Sequence, residues 1–189
     1  MLKKNETKRI LGVDPGTNFL GYAVIEVKKN KISLLTIGVV SMKHLASHQL
    51  KLKKIFERLQ EIIRNYSPDE MSIEAPFYGK NVQSMLKLGR AQGVAIAAGI
   101  TVGVHITEYA PKKIKQSITG NGNASKKQVA AMLVNILDQK LDTKYLDSTD
   151  ALAAAICHHY QSNSVLGGGK KYGSWSSFLK ENPDRTTGG

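Results

Sequence analysis

A chain of 189 residues with one cysteine, one tryptophan and five prolines has few of the residue types that brace small secreted domains. The lone Cys157 excludes an internal disulfide framework and a cysteine-rich zinc site. Its neighbours His158 and His159 do not supply a metal centre either. On a helix, adjacent side chains point about 100° apart, so the three cannot converge on one ion, and helix packing or surface is their expected role. No apolar run reaches the ~18 residues that mark a membrane-spanning helix, and Met1 to Arg9 is polar rather than signal-like. A cytoplasmic protein with no membrane partner is the expectation. Acidic residues are scarce as well: 15 Asp plus Glu stand against 27 Lys plus Arg, a formal net charge of +12. A surface of that sign suits a polyanion such as nucleic acid.

The 41% hydrophobic content suffices for a core, and the length suits one domain of roughly 150 residues with an appendage. The break is expected after Gln161, giving a domain over 1–161 and a flexible Gly/Ser-rich tail over 162–189. Trp175 and Phe178 stand isolated in that tail. They are too few to make a docking motif, and disorder is the expected state.

Within the domain, Arg9 to Gly16 is a short apolar run ending on Asp14 before a Pro-Gly turn, as at the carboxyl end of a buried strand. Phe19–Val27 and Lys31–Val40 form a hairpin that follows it. Apolar positions from Leu52 to Tyr66 fall at helical spacing, and Pro68 closes that helix. Asp69–Ala75 alternates like a strand and carries Glu74 near its end. A helix rich in Gly and Ala runs from about Asn81 to Ile100, and this density of small residues implies a closely packed partner, either the sheet or a second subunit. A strand at Val102–Glu108, the basic stretch Pro111–Gln116 and the glycine-rich loop Thr119–Ala124 follow. Ser125 and Gln128 form a capping box opening the next helix, and a last helix runs from near Asp147 to about Tyr160.

Each acidic residue alone has a plain structural role: Asp14 suits a turn, and Asp147 and Asp150 suit a helix N-terminus. The pattern of all four is more telling. Two carboxylates sit at strand ends, where open α/β sheets bind ligands, and two share one face at the mouth of a helix that packs on the same sheet. Four like charges in one cleft repel unless cations neutralise them, and Mg²⁺, with its preference for oxygen ligands, suits such a site. Two ions about 3.5–4 Å apart activate a water and stabilise the leaving oxygen of a phosphodiester. Hydrolysis of a nucleic-acid backbone fits both the acids and the basic surface.

Five segments, Ile10–Gly16 (ILGVDPG), Ser72–Phe77 (SIEAPF), Lys80-Asn81, Lys87–Gly93 (KLGRAQG) and Asp147–Ala153 (DSTDALA), together resemble the RuvC family of Holliday-junction resolvases. The resemblance spans about Lys8 to Tyr160, in order and at similar spacing. It implies an α/β, ribonuclease H-like fold with a mixed five-stranded sheet flanked by helices, and a two-fold symmetric homodimer. It implies symmetric nicking of two opposed strands of a four-way DNA junction during recombination and repair, with two Mg²⁺ per active site and Mn²⁺ as the alternative ion. Expected partners are a junction-binding protein and a branch-migration helicase of the RuvA and RuvB type. Asp14, Glu74, Asp147 and Asp150 match the family's metal-binding acids, with Asp14 bridging the ions. Lys115 and Lys126 match family lysines near the active site, where Lys126 is placed to stabilise charge developing on the scissile phosphate, and Phe77 matches an aromatic that contacts a base near the crossover, a role that stacking explains. Tyr78, Lys80, Asn81 and Lys115 join Phe77 and Lys126 as expected DNA contacts. Two other readings compete: a four-way-junction binding protein without catalysis, for which the charge alone suffices, and a different ribonuclease H-like nuclease acting on RNA or flaps.

Overall fold

The computed structural model describes residues 7–76, 81–139 and 146–166; of residues 146–147 and 163–166 only the backbone is described. Five strands and five helices follow along these residues. They are β1 (Thr7–Pro15), β2 (Phe19–Lys28), β3 (Lys31–Ser41), α1 (His48–Tyr66), β4 (Glu70–Glu74), α2 (Val82–Ile100), β5 (His105–Tyr109), α3 (Pro111–Thr119), α4 (Lys126–Leu137) and α5 (Leu146–Leu166). The strands form one sheet in the order β3-β2-β1-β4-β5. β1, β2 and β3 make an antiparallel meander, while β4 and β5 add to β1 in parallel through helical crossovers. The sheet is therefore mixed, as the resemblance implied.

Alternation along β1 divides the molecule into two layers. Leu11 and Val13 face one core, with Met71 and Ile73 of β4, Ile55, Leu59 and Ile62 of α1, and Ala91 and Ala95 of α2. Ile10 faces the other, with Ala23 and Ile25 of β2, Ile114 of α3, Leu133 of α4 and the alanine-rich middle of α5. α5 is the central helix of that second layer. It comes so close to β1 that a Cβ on Gly12 would collide with the Ala151 carbonyl oxygen and the Ala155 side chain. Glycine on the strand and alanine on the helix are what allow this approach.

The helix termini follow local chemistry. Ser47 caps α1 by accepting the Leu50 N–H at 3.2 Å, and both bonds of the capping box between Ser125 and Gln128 are present at the start of α4. The sequence marks Pro111–Gln116 only as a basic stretch; it lies in the helix α3, with Pro111 at the first position. Gly120 ends that helix at φ 75°, a left-handed conformation that glycine adopts at no steric cost. β5 starts later than expected, at His105, because Gly103 at φ 77° turns the chain after α2. α5 runs on to Leu166, past the expected end near Tyr160. Trp175, Phe178 and the rest of 167–189 lie outside the described residues. Among the described residues, no helix is long and apolar enough to cross a membrane.

Candidate active site

The parallel pairing of β1 and β4 places two acids side by side. Val13 and Ile73 are register partners, so Asp14 and Glu74, the next residue on each strand, leave the sheet together on the face that packs against α5. Glu74 is fixed from its other side by β5: it is in register with Tyr109, whose carbonyl oxygen accepts the Ala75 N–H at 2.9 Å. Asp150 comes from the first turns of α5, beside the Ala151 that touches Gly12. The tight helix-strand crossing thus sets how far Asp150 stands from Asp14.

Asp14, Glu74 and Asp150 line one cleft of about 510 Å³, whose opposite wall is basic. Lys112 and Lys115 project from α3 and Lys126 from the first turn of α4, with the Gly122-Asn123 loop between these helices. Lys126 forms an ion pair with Asp150, whose side chain is only 15% exposed. Lys112 is the residue of this wall that sequence reasoning misses. A signal exists, since it lies three residues from Lys115 and shares its face, but only once α3 is known to be helical.

Burial and the crowding of like charge both show in Glu74. Burial, then the neighbouring Asp14 and Asp150, push its carboxyl up to about 8, with Lys126 and Lys115 offsetting part of the rise. A carboxyl raised this far reflects its burial first and the acids beside it second, the kind of perturbed group that gathers at functional clefts. The donors are hard oxygens, the chemistry that suits Mg²⁺ or Mn²⁺. Among the described residues, no group of three or more His, Cys, Asp and Glu could hold a metal ion by itself. The described acids therefore do not form a protein-only cage, and Mg²⁺ ordinarily completes its shell with waters and substrate phosphates.

Other expected site residues lie elsewhere. Asn81 caps α2, its side chain accepting the Ser84 N–H at 3.0 Å, and is exposed. Phe77, Tyr78 and Lys80 lie outside the described residues, as does the side chain of Asp147, whose backbone is in the first turn of α5.

Away from the cleft, the buried His158 joins three elements. Its Nδ1 lies 2.8 Å from the Tyr109 hydroxyl of β5, and its Nε2 lies 2.5 Å from Glu70 of β4, which also pairs with Lys8 of β1. Burial lowers the His158 pKa below 6.5 and hydrogen bonding to Glu70 opposes that shift, so the histidine is a packing and polar-network residue. Cys157 is buried beside it.

An antiparallel meander extended by two parallel strands, with carboxylates at the ends of β1 and β4 and on the helix packed across them, defines a ribonuclease H-like nuclease. A family model, crossover junction endodeoxyribonuclease RuvC, matches residues 10–158. The RuvC of Cytophaga hutchinsonii is 57% identical over 98% of this chain and 93% of its own, and that of Christiangramia forsetii 56% identical over 93% and 91%. The solved structure of Thermus thermophilus RuvC in complex with Holliday junction substrate superimposes with a TM-score of 0.78 at 30% identity, covering 84% of this chain and 96% of that one. The chain belongs to the RuvC family, the crossover junction endodeoxyribonucleases that resolve Holliday junctions. That membership sets aside the two competing readings, a junction binder without catalysis and a ribonuclease H-like nuclease for RNA or flaps.

Proposed function

We propose that the cleft between β1, β4, α3, α4 and α5 hydrolyses one strand of a four-way DNA junction, and that a second copy of the chain cuts the opposed strand. The observation that carries this reading is the meeting of Asp14, Glu74 and Asp150 opposite Lys112, Lys115 and Lys126 in a single cleft.

Asp14, Glu74 and Asp150, with Asp147 from the same turn of α5, would hold divalent metal, Mg²⁺ first and Mn²⁺ as the alternative. When bound, the metal supplies a more acidic water and a counter-charge for the leaving oxygen. Lys112 and Lys115 draw the phosphodiester into the cleft and fix its height above the sheet. Asp14 and Glu74 orient the attacking water on the strand side. Water oxygen adds to phosphorus and releases its proton to solvent in the open cleft as the P–O bond to the leaving nucleotide breaks, and negative charge moves onto that departing oxygen until it takes up a proton from solvent. Lys126 exchanges its bond to Asp150 for one to the phosphate, which offsets this charge in a partly desolvated site. Phe77, Tyr78, Lys80 and Asn81, on the segment leaving β4, contact bases and backbone near the crossover. The boundary expected after Gln161 falls inside α5, which ends at Leu166, so the tail beyond this domain is assigned to residues 167–189.

A two-fold dimer supplies equivalent clefts to the two symmetry-related strands of a junction. The dimer contact is assigned to α2, whose exposed stripe of Val82, Leu86, Gly89, Gly93 and Ile100 faces away from α1. By family membership, a RuvA-type junction-binding protein and a RuvB-type helicase are the partners.

Replacing Asp14 by Asn tests the assignment. Nicking of a synthetic four-way junction in Mg²⁺ should fall about a thousandfold, of the order expected for loss of a main charge-stabilising group, while the junction is still shifted in a gel without metal. Cleavage at the wild-type rate by Asp14→Asn overturns it.

A further inference from the structure

A second basic pocket lies on the other face of the sheet, beyond the Asp14 turn. It encloses about 390 Å³ between the turn linking β1 to β2 and the N-terminal turns of α1 and α2, and is lined by Thr17, Asn18, Ser47, His48, Lys51 and Lys87 among others. We propose that this pocket binds a phosphate of the DNA backbone, giving the junction a second hold on the protein next to the catalytic cleft. The inference rests on the junction-cleavage reading given above.

Four observations converge on an anion. No Asp or Glu lines the pocket. Lys51 Nζ donates to the neutral Asn18 Oδ1 at 2.8 Å, so its charge is positioned without being cancelled. α1 and α2 both present their N-termini here through Ser47 and Ser84, and neither has an acidic residue in its first turn, where one would ordinarily offset the helix dipole. His48 carries a buried Nε2 with no hydrogen-bond partner, a polar atom left at a cost that an acceptor relieves when this nitrogen holds the ring proton. Burial, followed by the charges of Arg90, Lys87 and Lys51, lowers its pKa below 6.5, so the cations here act on one another rather than on a carboxylate.

The ligand is a backbone phosphate because of where the pocket sits. Thr17 and Asn18 directly follow the Asp14-Pro15-Gly16 turn, so pocket and cleft share the carboxyl rim of β1. A DNA strand repeats its phosphates, so one lying across this rim can present the scissile phosphate to the cleft and another to the pocket. Such a contact carries no sequence information but fixes register and direction.

The test compares Lys51→Gln/Lys87→Gln with a charge-matched control, Lys53→Gln/Lys54→Gln, on the exposed side of α1. Junction binding is measured without divalent metal over a salt series. The pocket variant is expected to bind about tenfold more weakly and to flatten the slope of log K against log[salt] by ~0.9 for each pocket whose phosphate is no longer neutralised, while the control keeps the wild-type slope. Equal slopes in pocket variant, control and wild type overturn the proposal. Inorganic phosphate at constant ionic strength that raises the melting temperature of wild type but not of the pocket variant, with no difference in junction binding, assigns the pocket to a free anion and also overturns it. A wild type that cuts no junction overturns the function reading instead, and the same salt series on linear duplex then decides the pocket.

Discussion

At the scale of the residue, Glu74 concentrates the electrostatics of the cleft. Its carboxyl is raised from 4.5 to about 8, so the folded protein holds a proton that the unfolded chain releases between these limits. The contribution of this group to stability is complete below pH 4.5 and is lost as pH climbs through about 8. Glu74→Gln removes that loss. In urea unfolding, the stability of Glu74→Gln relative to wild type should therefore grow from pH 5 to about 8 and level off above it; a difference that stays flat over this range contradicts the assignment. The same variant should nick poorly at every pH, a stability gain made at the expense of function. Asp14 and Glu74 are legible in the sequence because each lies at the end of a short strand-like stretch, one apolar and one alternating, that a proline closes within two residues, a pattern with few structural solutions. The Tyr109–His158–Glu70 link is not. Its members lie far apart in the chain, and only the docking of α5 on β4 and β5 brings them together.

At the scale of the element, the crossing of α5 over β1 sets the geometry of the cleft. Gly12 leaves room for the Ala151 carbonyl, and Asp150 is the residue before it, so a methyl at position 12 must push the helix away from Asp14. Gly12→Ala is expected to cost ~1–3 kcal/mol, the usual penalty for overpacking, and to lower nicking more than junction binding. Wild-type stability in denaturant melts would show that the strand and helix have slack. Helices with strong periodicity are readable: α1 from its apolar stripe, and α4 from its capping box. α3 is not, because Ile114 and Ile118 are its only buried apolar residues and five of its first six positions are proline, lysine or glutamine. Their spacing of four is too brief a repeat to separate a single amphipathic turn from a basic loop. That element carries Lys112 and Lys115, so the part of the site hidden in the sequence is the part built on the least periodic helix.

At the scale of the whole molecule, the distribution of charge and of apolar surface bears on how a junction is held. The net charge of +12 is organised, with lysines gathered at the carboxyl rim of the sheet on both of its faces. The stripe on α2 is the apolar counterpart of that surface. Val82 is 66% exposed and Leu86 51%, and a Cβ at Gly89 or Gly93 would meet nothing within 4 Å, so a second backbone has room to approach. Leu86→Glu places a charge in that contact, and light scattering should report a dimer for wild type and a monomer for the variant. A variant that stays dimeric moves the interface elsewhere. Composition reveals the sign of the surface and the small residues of α2, but not which face of the helix stays open, since that depends on how α1 covers the other side.

The final helix has a consequence for the life of the protein as it is made. β1 with Asp14 leaves the ribosome early, while α5, which carries Asp150 and fills the space beside Gly12, emerges only after every other described element. A nascent chain that has not yet released α5 therefore lacks one wall of the cleft. The cleft is completed when this last described helix seats itself, and a chain that stops before α5 leaves the strand-end acids without their helical partner.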